Sequence, residues 1–443
     1  MKILFCVEFY FPSVGGAQEV VRQIAERFHS YGHAVSIATT RIPTRTSTEH
    51  NGVDLVEFEV FGNLVYGLHG ETDRYRHFLV STDFDVIVFY AAQQWTFDAA
   101  WPVMDRITAR KIFVPCGYSN LFDAAYRPYF KALPATLKKM SGIVYHAENY
   151  RDVDFGTTQG LGKGTFIPNG ADIEEFSVSR DSTFRRSISV APDEFMVLTV
   201  GTMTGLKGHL ELVQSFAEAD FGERRATLIL NGNVPESGHP KKNRARHLLT
   251  AFRRAGAADS VRRGLNFIRS CWHNRLSSVS KTVHAWADKI HREQGEKKRV
   301  IITDLPRERL IQAYLNSDLF VFASNIEYSP LVLYEACAAG LPFLTVPVGN
   351  AAEIVTWTQG GLLCPAEVDE HGYTHVAPLL LARRMEALAN DSTDLIRLGK
   401  CGYAASRMRF NWDLIAREYE RLCSQCAIGS VSNPPPQETA RGH

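Results

Sequence analysis

Short apolar runs alternate with helical stretches along this chain, and near residue 195 the alternation begins afresh. KILFCVEFY reads as a buried first strand. GAQEVVRQIAERFHSYG follows, with Val20, Val21, Ile24, Ala25 and Phe28 at helical spacing. Gly32 closes that helix, and HAVSIATT is the next strand. VDLVEFEV, FDVIVFY, KIFVPCG, GIVYHA and GTFIPNG are further strand candidates. Strands separated by helices specify a parallel sheet with helices on both faces. After a polar stretch at 174–194, FMVLTVG is a second first strand. LELVQSFAEA, RERLIQAYLNSD and PLVLYEACAAG then read as helices, and TLILNGN, RVIITD, LFVFAS and PFLTVPVG as strands. The predicted fold class is therefore α/β, with two Rossmann-like doubly wound domains at 1–173 and 174–408. A helix at 409–427 is expected to pack back across them, and the Pro-rich polar tail 428–443 to be disordered. In open sheets of this kind, ligands sit beyond the carboxyl ends of the strands.

Composition narrows little: 443 residues, 45% hydrophobic and 22% charged, describe an ordinary globular chain. The net charge of +1 implies no particular partner. That average hides a basic helical insertion at about 236–298. From 241 to 299 there are 16 Lys or Arg against 4 acids, a local charge of +12. Apolar residues such as Phe252, Phe267, Trp272, Val283, Trp286 and Ile290 are interleaved. Basic amphipathic helices of this kind suit an anionic membrane surface. They equally suit a solvated insertion that packs its apolar stripe on the second domain. Nucleic acid is not expected, because no base-reading motif accompanies the charge.

Eight cysteines lie at scattered spacings, and only Cys423 and Cys426 form a CxxC, with no second pair or nearby His. Two helix residues near the chain end is the expected reading, and a reducing cytoplasm the simplest compartment. The N-terminus reads as a strand and not a signal peptide, since Glu8 interrupts it. No apolar run is long enough for a membrane span.

Four clusters can carry chemistry. Gly15 and Gly16, between the first strand and first helix, allow a ligand to approach backbone at a helix N-terminus; a tight turn explains them equally. Gly201, Thr202 and Lys207 occupy the equivalent turn of the second domain. An ammonium there can neutralise a diphosphate leaving group, although a surface lysine is the plainer reading. Glu327 lies beyond the strand LFVFAS, and Ser329 is expected to cap a helix whose first residue is Pro330. Glu335 then falls near the second turn of that helix. Two carboxylates so placed can grip hydroxyls at two ends of one ligand, although a structural Glu is common in helices. In the fourth cluster, Gly349 to Glu353, a turn with Glu353 at a helix start accounts for the pattern.

In chain order, the GGA turn, the IPNGAD segment, the VG…KG turn and E-x7-E resemble the retaining glycosyltransferases of GT-B fold, family 4. EYSPLVLYEACAAGLPFL, VGN…EIV and GGLLCP are the most specific pieces. The resemblance implies two domains facing a central cleft, the first on the acceptor side and the second on the donor side. It implies transfer of a sugar, with retention, from a UDP- or GDP-sugar to a glycan or lipid-linked acceptor, as in bacterial cell-surface polysaccharide synthesis. Glu327 would contact sugar hydroxyls, Glu335 the ribose and Lys207 the diphosphate. Gly15 and Gly16 would line the cleft, and amides of Ser329, Pro330's neighbours Leu331 and Val332 would complete the phosphate cradle. Gly201 and Thr202 would lie against the donor. Glu327 and Lys207 would be the catalytic pair. No cofactor or metal is expected, since lysine and helix dipole supply the positive charge. The location implied is cytoplasmic, with a peripheral place at the inner membrane face. Two positions depart from the family. Thr202 stands where it has Arg, which removes one bidentate clamp on a diphosphate. Its N-domain His is absent, leaving Gln93, Gln94, Cys116, Tyr118 or His146 near that place. These departures motivate an alternative: a weakened GT-B protein that binds nucleotide sugars or glycans as a scaffold.

Overall fold

The computed structural model describes residues 1–162, 164–232 and 280–429. The chain divides into two compact units, one of Met1–Gly170 with the segment from Arg409 onward, the other of Ala171–Met408.

In the first unit the strands are β1 (Lys2–Cys6), β2 (Ala34–Thr40), β3 (Glu49–His50), β4 (Val53–Phe58), β5 (Val60–Asn63), β6 (Gly67–Gly70), β7 (Val86–Tyr90), β8 (Arg110–Val114), β9 (Gly142–Tyr145) and β10 (Thr165–Phe166). Eight of them form one sheet in the order β10-β9-β8-β7-β1-β2-β4-β3, parallel except at β3. β5 and β6 form a separate hairpin that the apolar pattern does not announce. β1 and β7 are buried almost throughout, as parallel strands covered on both faces must be. The helix Gly16–Ser30 buries Val20, Val21, Ile24, Ala25 and Phe28, the stripe expected from their spacing. The last helix, Trp412–Ile428, belongs to this unit: Arg27 bonds Asp413 at 2.6 Å and His33 bonds Glu420 at 2.9 Å. Cys423 and Cys426 lie one turn apart in it, both buried. Burial pushes both thiols up, away from the thiolate that metal or redox chemistry requires.

The second unit contains β11 (Phe195–Val200), β12 (Ala226–Asn231), β13 (Lys298–Thr303), β14 (Leu319–Phe322), β15 (Phe343–Thr345) and β16 (Gly361–Leu363). They form an all-parallel sheet in the order β13-β12-β11-β14-β15-β16. A hairpin of β17 (Glu367–Val368) and β18 (Thr374–His375) follows. Most of the basic insertion (residues 233–279) and nearly all of the polar tail (430–443) lie outside the described residues. Residues 280–294 are helical, and there Val283, Ala287 and Ile290 are at most 4% exposed. Over this part the apolar stripe already serves protein packing, which removes it as a membrane-facing surface. Trp286 is half-covered, with Lys289 Nζ 4.6 Å from its ring centre. Among the described residues no helix is long and apolar enough to cross a membrane.

Candidate functional site

β11 and β14 are neighbours, yet the chain leaves β11 toward β12 on one side and returns to β14 on the other. The order of strands reverses there, and the loops after both strands meet at the carboxyl edge of the sheet. The loop after β11 carries Gly201, Thr202 and Lys207; the loop after β14 carries Glu327 and Ser329. Backbone joins them, because the Asn325 amide donates to the Leu206 carbonyl at 3.0 Å. Gly208 permits that approach. Its φ is +66°, and a Cβ there would lie 1.8 Å from the Ala323 carbonyl oxygen. Gly349 does the same from the other side, where a Cβ would lie 2.2 Å from the Tyr328 carbonyl oxygen.

Two residues 120 positions apart are thereby brought together: Lys207 Nζ donates to Glu327 Oε1. Both side chains are largely shielded, at 27% and 18% exposure. Ser324 Oγ lies 3.2 Å from that carboxylate oxygen and 3.2 Å from the Leu206 carbonyl, its single proton serving one at a time. The helix begins one residue later than expected. Pro330 is its cap residue, with extended backbone, and the helix runs Leu331–Ala338 without a side-chain cap. Proline has no N–H to satisfy, so it fits a position whose amide would have no intrahelical partner. Ser329 therefore sits outside the helix, 9% exposed, and does not cap it.

Glu335 occupies the second turn, as its spacing predicts, but its surroundings are not visible in its own segment. Arg307 Nη1 donates to Oε1 at 2.7 Å, and the Tyr314 hydroxyl donates to Oε2 at 2.9 Å. Arg307 also donates to Glu175 through Nε at 3.0 Å. Burial works against the Arg307 charge, but Glu335 and Glu175 outweigh it and hold the guanidinium firmly protonated. Tyr314 is fully buried; burial, then Glu335, keeps its hydroxyl protonated. Each carboxylate oxygen of Glu335 thus has one fixed donor and retains a lone pair for another. Arg307→Ala is expected to destabilise the protein by about 1 kcal/mol, since two carboxylates lose their shared counter-charge but the guanidinium is 39% exposed and its pairs are screened by solvent. In a double-mutant cycle with Glu335→Gln, thermal unfolding should give a coupling of about 0.5 kcal/mol. Strict additivity would remove Arg307 from this role.

In the first unit, Gly15 is extended (φ 178°), and a Cβ on Gly16 would meet nothing within 4 Å. The protein's own packing does not require glycine at 16. The candidates near the absent histidine separate clearly. Tyr118 is 1% exposed between Phe130 and Phe155, and is a core residue. His146 is also core: it bonds the Tyr90 hydroxyl at 3.0 Å and the Ile167 carbonyl at 2.8 Å, and burial pushes its pKa down to about 4. Gln94 uses Oε1 to accept from the Glu8 amide at 3.2 Å. Gln93 and Cys116 follow β7 and β8 with φ of +63° and +56°, and Ala91 and Tyr118 are also left-handed. Four such non-glycine residues thus stand at the ends of two adjacent strands. Beside them Asp98, absent from the expectations above, is buried and pushed up to about 6 by that burial, although Leu64's amide and Tyr129's hydroxyl donate to it.

Comparison with known proteins agrees with this layout. Residues 284–389 match the family model described as Glycosyl transferases group 1. The second unit carries a Glycosyl transferases group 1 domain. The chain is 24% identical over 251 residues to a D-inositol 3-phosphate glycosyltransferase of Segniliparus rotundus, covering 56% of this chain and 44% of that one. It is 26% identical over 273 residues to D-inositol 3-phosphate glycosyltransferase 2 of Catenulispora acidiphila, covering 59% and 54%. The chain spans about half the length of these curated relatives. Among solved structures, sucrose-phosphate synthase from Thermosynechococcus elongatus has a TM-score of 0.69 at 17% identity, covering 97% of this chain and 100% of that one. HepE from Anabaena, in complex with UDP and glucose, has 0.66 at 15% identity, covering 96% and 100%. The fold is that of the GT-B glycosyltransferases, with parallel sheets in two Rossmann-like units.

Proposed function

We propose that this chain is a retaining glycosyltransferase of family 4 that transfers a sugar from a UDP- or GDP-sugar to a glycan or lipid-linked acceptor. The observation that carries the proposal is the pairing of Lys207 with Glu327 where the strand order reverses, with Glu335 on the helix that follows. A charge on the leaving diphosphate needs a fixed cation, and a sugar needs a fixed acceptor of hydroxyl protons; these loops hold one of each side by side. In this reading the diphosphate takes Lys207 away from Glu327, freeing the carboxylate for sugar hydroxyls. The amides at the start of Leu331–Ala338 face the phosphates, and Glu335 accepts from the ribose. Lys207 and the helix N-terminus supply the positive charge that a metal ion supplies elsewhere. UDP is favoured as the nucleotide by the fold's likeness to HepE, solved with UDP-glucose.

Polysaccharide synthesis at the cytoplasmic membrane face is the setting we assign. Attraction to anionic lipid rests in this reading on the basic sequence of 241–279 alone.

A thermal-shift screen of nucleotide sugars tests the proposal, because the true donor raises the unfolding midpoint in proportion to its affinity. A rise of several degrees with one UDP- or GDP-sugar, followed by transfer to an acceptor saccharide, is the expected result. No response to any nucleotide sugar would sink it. The observation favouring a second reading is Thr202, which cannot clamp a diphosphate as Arg does; donor binding without turnover on any acceptor would favour the scaffold role.

A further inference from the structure

The helix His209–Glu218 starts directly after Lys207 and Gly208, and its first residue is 3% exposed. Neither ring nitrogen of His209 has a hydrogen-bond partner. An unsatisfied buried polar group costs about 1–3 kcal/mol, so it calls for an explanation such as a ligand that completes it. The direction of the ring is defined by Gly201. A Cβ built there would lie 3.5 Å from Lys207 Cβ and 3.9 Å from His209 Cε1. The imidazole and the lysine stem therefore stand side by side beneath the Gly201–Thr202 turn. Burial first, and Lys207 second, push the His209 pKa down to about 4 against a smaller upward pull from the Gly201 backbone, which lies near the ring but outside hydrogen-bond geometry, so the imidazole is neutral and presents one N–H. The N-terminus of the helix adds positive potential at the same place. His209 also borders a cavity of about 300 Å³ that Glu211 and Asp369 help to line.

We propose that His209 is a further donor-recognition residue, whose ring N–H donates to a non-bridging oxygen of the nucleoside diphosphate beside Lys207. It supplies there a contact that Thr202 does not. The proposal rests on the nucleotide-sugar reading above and adds a residue to it that neither motif contains.

Calorimetric titration of the full chain with UDP, UMP, GDP and GMP tests it. Wild type is expected to bind its diphosphate about 10-fold or more tighter than the matching monophosphate. His209→Ala and the similarly shaped His209→Phe should each weaken diphosphate binding about 10-fold and monophosphate binding less than about 2-fold. His209→Gln, which keeps an N–H, should recover most of the loss, and so should Thr202→Arg placed in the His209→Phe background. Equal losses for diphosphate and monophosphate, or unchanged diphosphate affinity, would overturn the role of His209 and leave the nucleotide-sugar reading standing. Wild type that binds neither UDP nor GDP would overturn both. Unfolding midpoints of each variant identify any that fail to fold, and the phenylalanine and glutamine pair then decides alone.

Discussion

Replacing Glu335 by alanine is expected to weaken nucleoside diphosphate binding by about 100-fold or more. Two ribose hydroxyls donating to one carboxylate are worth about 1.5–3 kcal/mol each, which sets that scale. The same substitution strands Arg307 and the buried Tyr314 hydroxyl, which Glu335 now satisfies at 2.7 and 2.9 Å. The unfolding midpoint must therefore be measured alongside affinity. Glu335→Gln separates the two effects. The amide still accepts from Arg307 or Tyr314 and keeps the packing, but it lacks the charge that strengthens bonds from hydroxyls. A glutamine variant that folds normally and binds UDP or GDP like wild type would remove Glu335 from the donor site.

Lys207→Ala is expected to lower turnover about 10²- to 10³-fold, the range seen when one preorganised stabiliser of developing charge is deleted. The loss should fall mainly on kcat, because charge grows on the diphosphate as the sugar departs. The donor KM should change less, since in the proposed reading Glu335 holds the nucleoside end. Lys207→Arg is expected to restore part of the rate, its guanidinium being bulkier and differently placed than an ammonium. A loss confined to KM would assign Lys207 to ground-state binding and leave the departing charge to other groups. Glu327 enters the same test: in Lys207→Ala its carboxylate loses the partner that now covers it.

The position of the site follows from features that lie close together in the chain. Apolar runs and helical stripes are local, so the strands KILFC and FMVLTV and the helix carrying Val20, Ile24 and Phe28 are readable without the fold. The seven-residue gap between Glu327 and Glu335 likewise places one carboxylate in the loop and the other on the second helical turn. Elsewhere local signals compete. Ser329 has the chemistry of a helix cap, but Pro330 takes that position. Tyr118 and His146 have polar atoms, yet ring packing and two hydrogen bonds retain them in the core.

The chain's own residue order thus determined two doubly wound units and the loops that the proposed function assigns to a donor. Only the tertiary structure decided what surrounds the two carboxylates. Glu175 reaches Arg307 from 132 residues away, and Lys207 reaches Glu327 across 120. Those meetings follow from parallel strand order, in which neighbours in space are separated by a helix or more in sequence. His209 shows the same limit from the other direction. As one residue after a lysine and a glycine it carries no signal; buried beside Gly201 with both nitrogens unpartnered, it becomes a candidate ligand contact. Burial and orientation depend on every element packed around a residue, and a local pattern cannot record them.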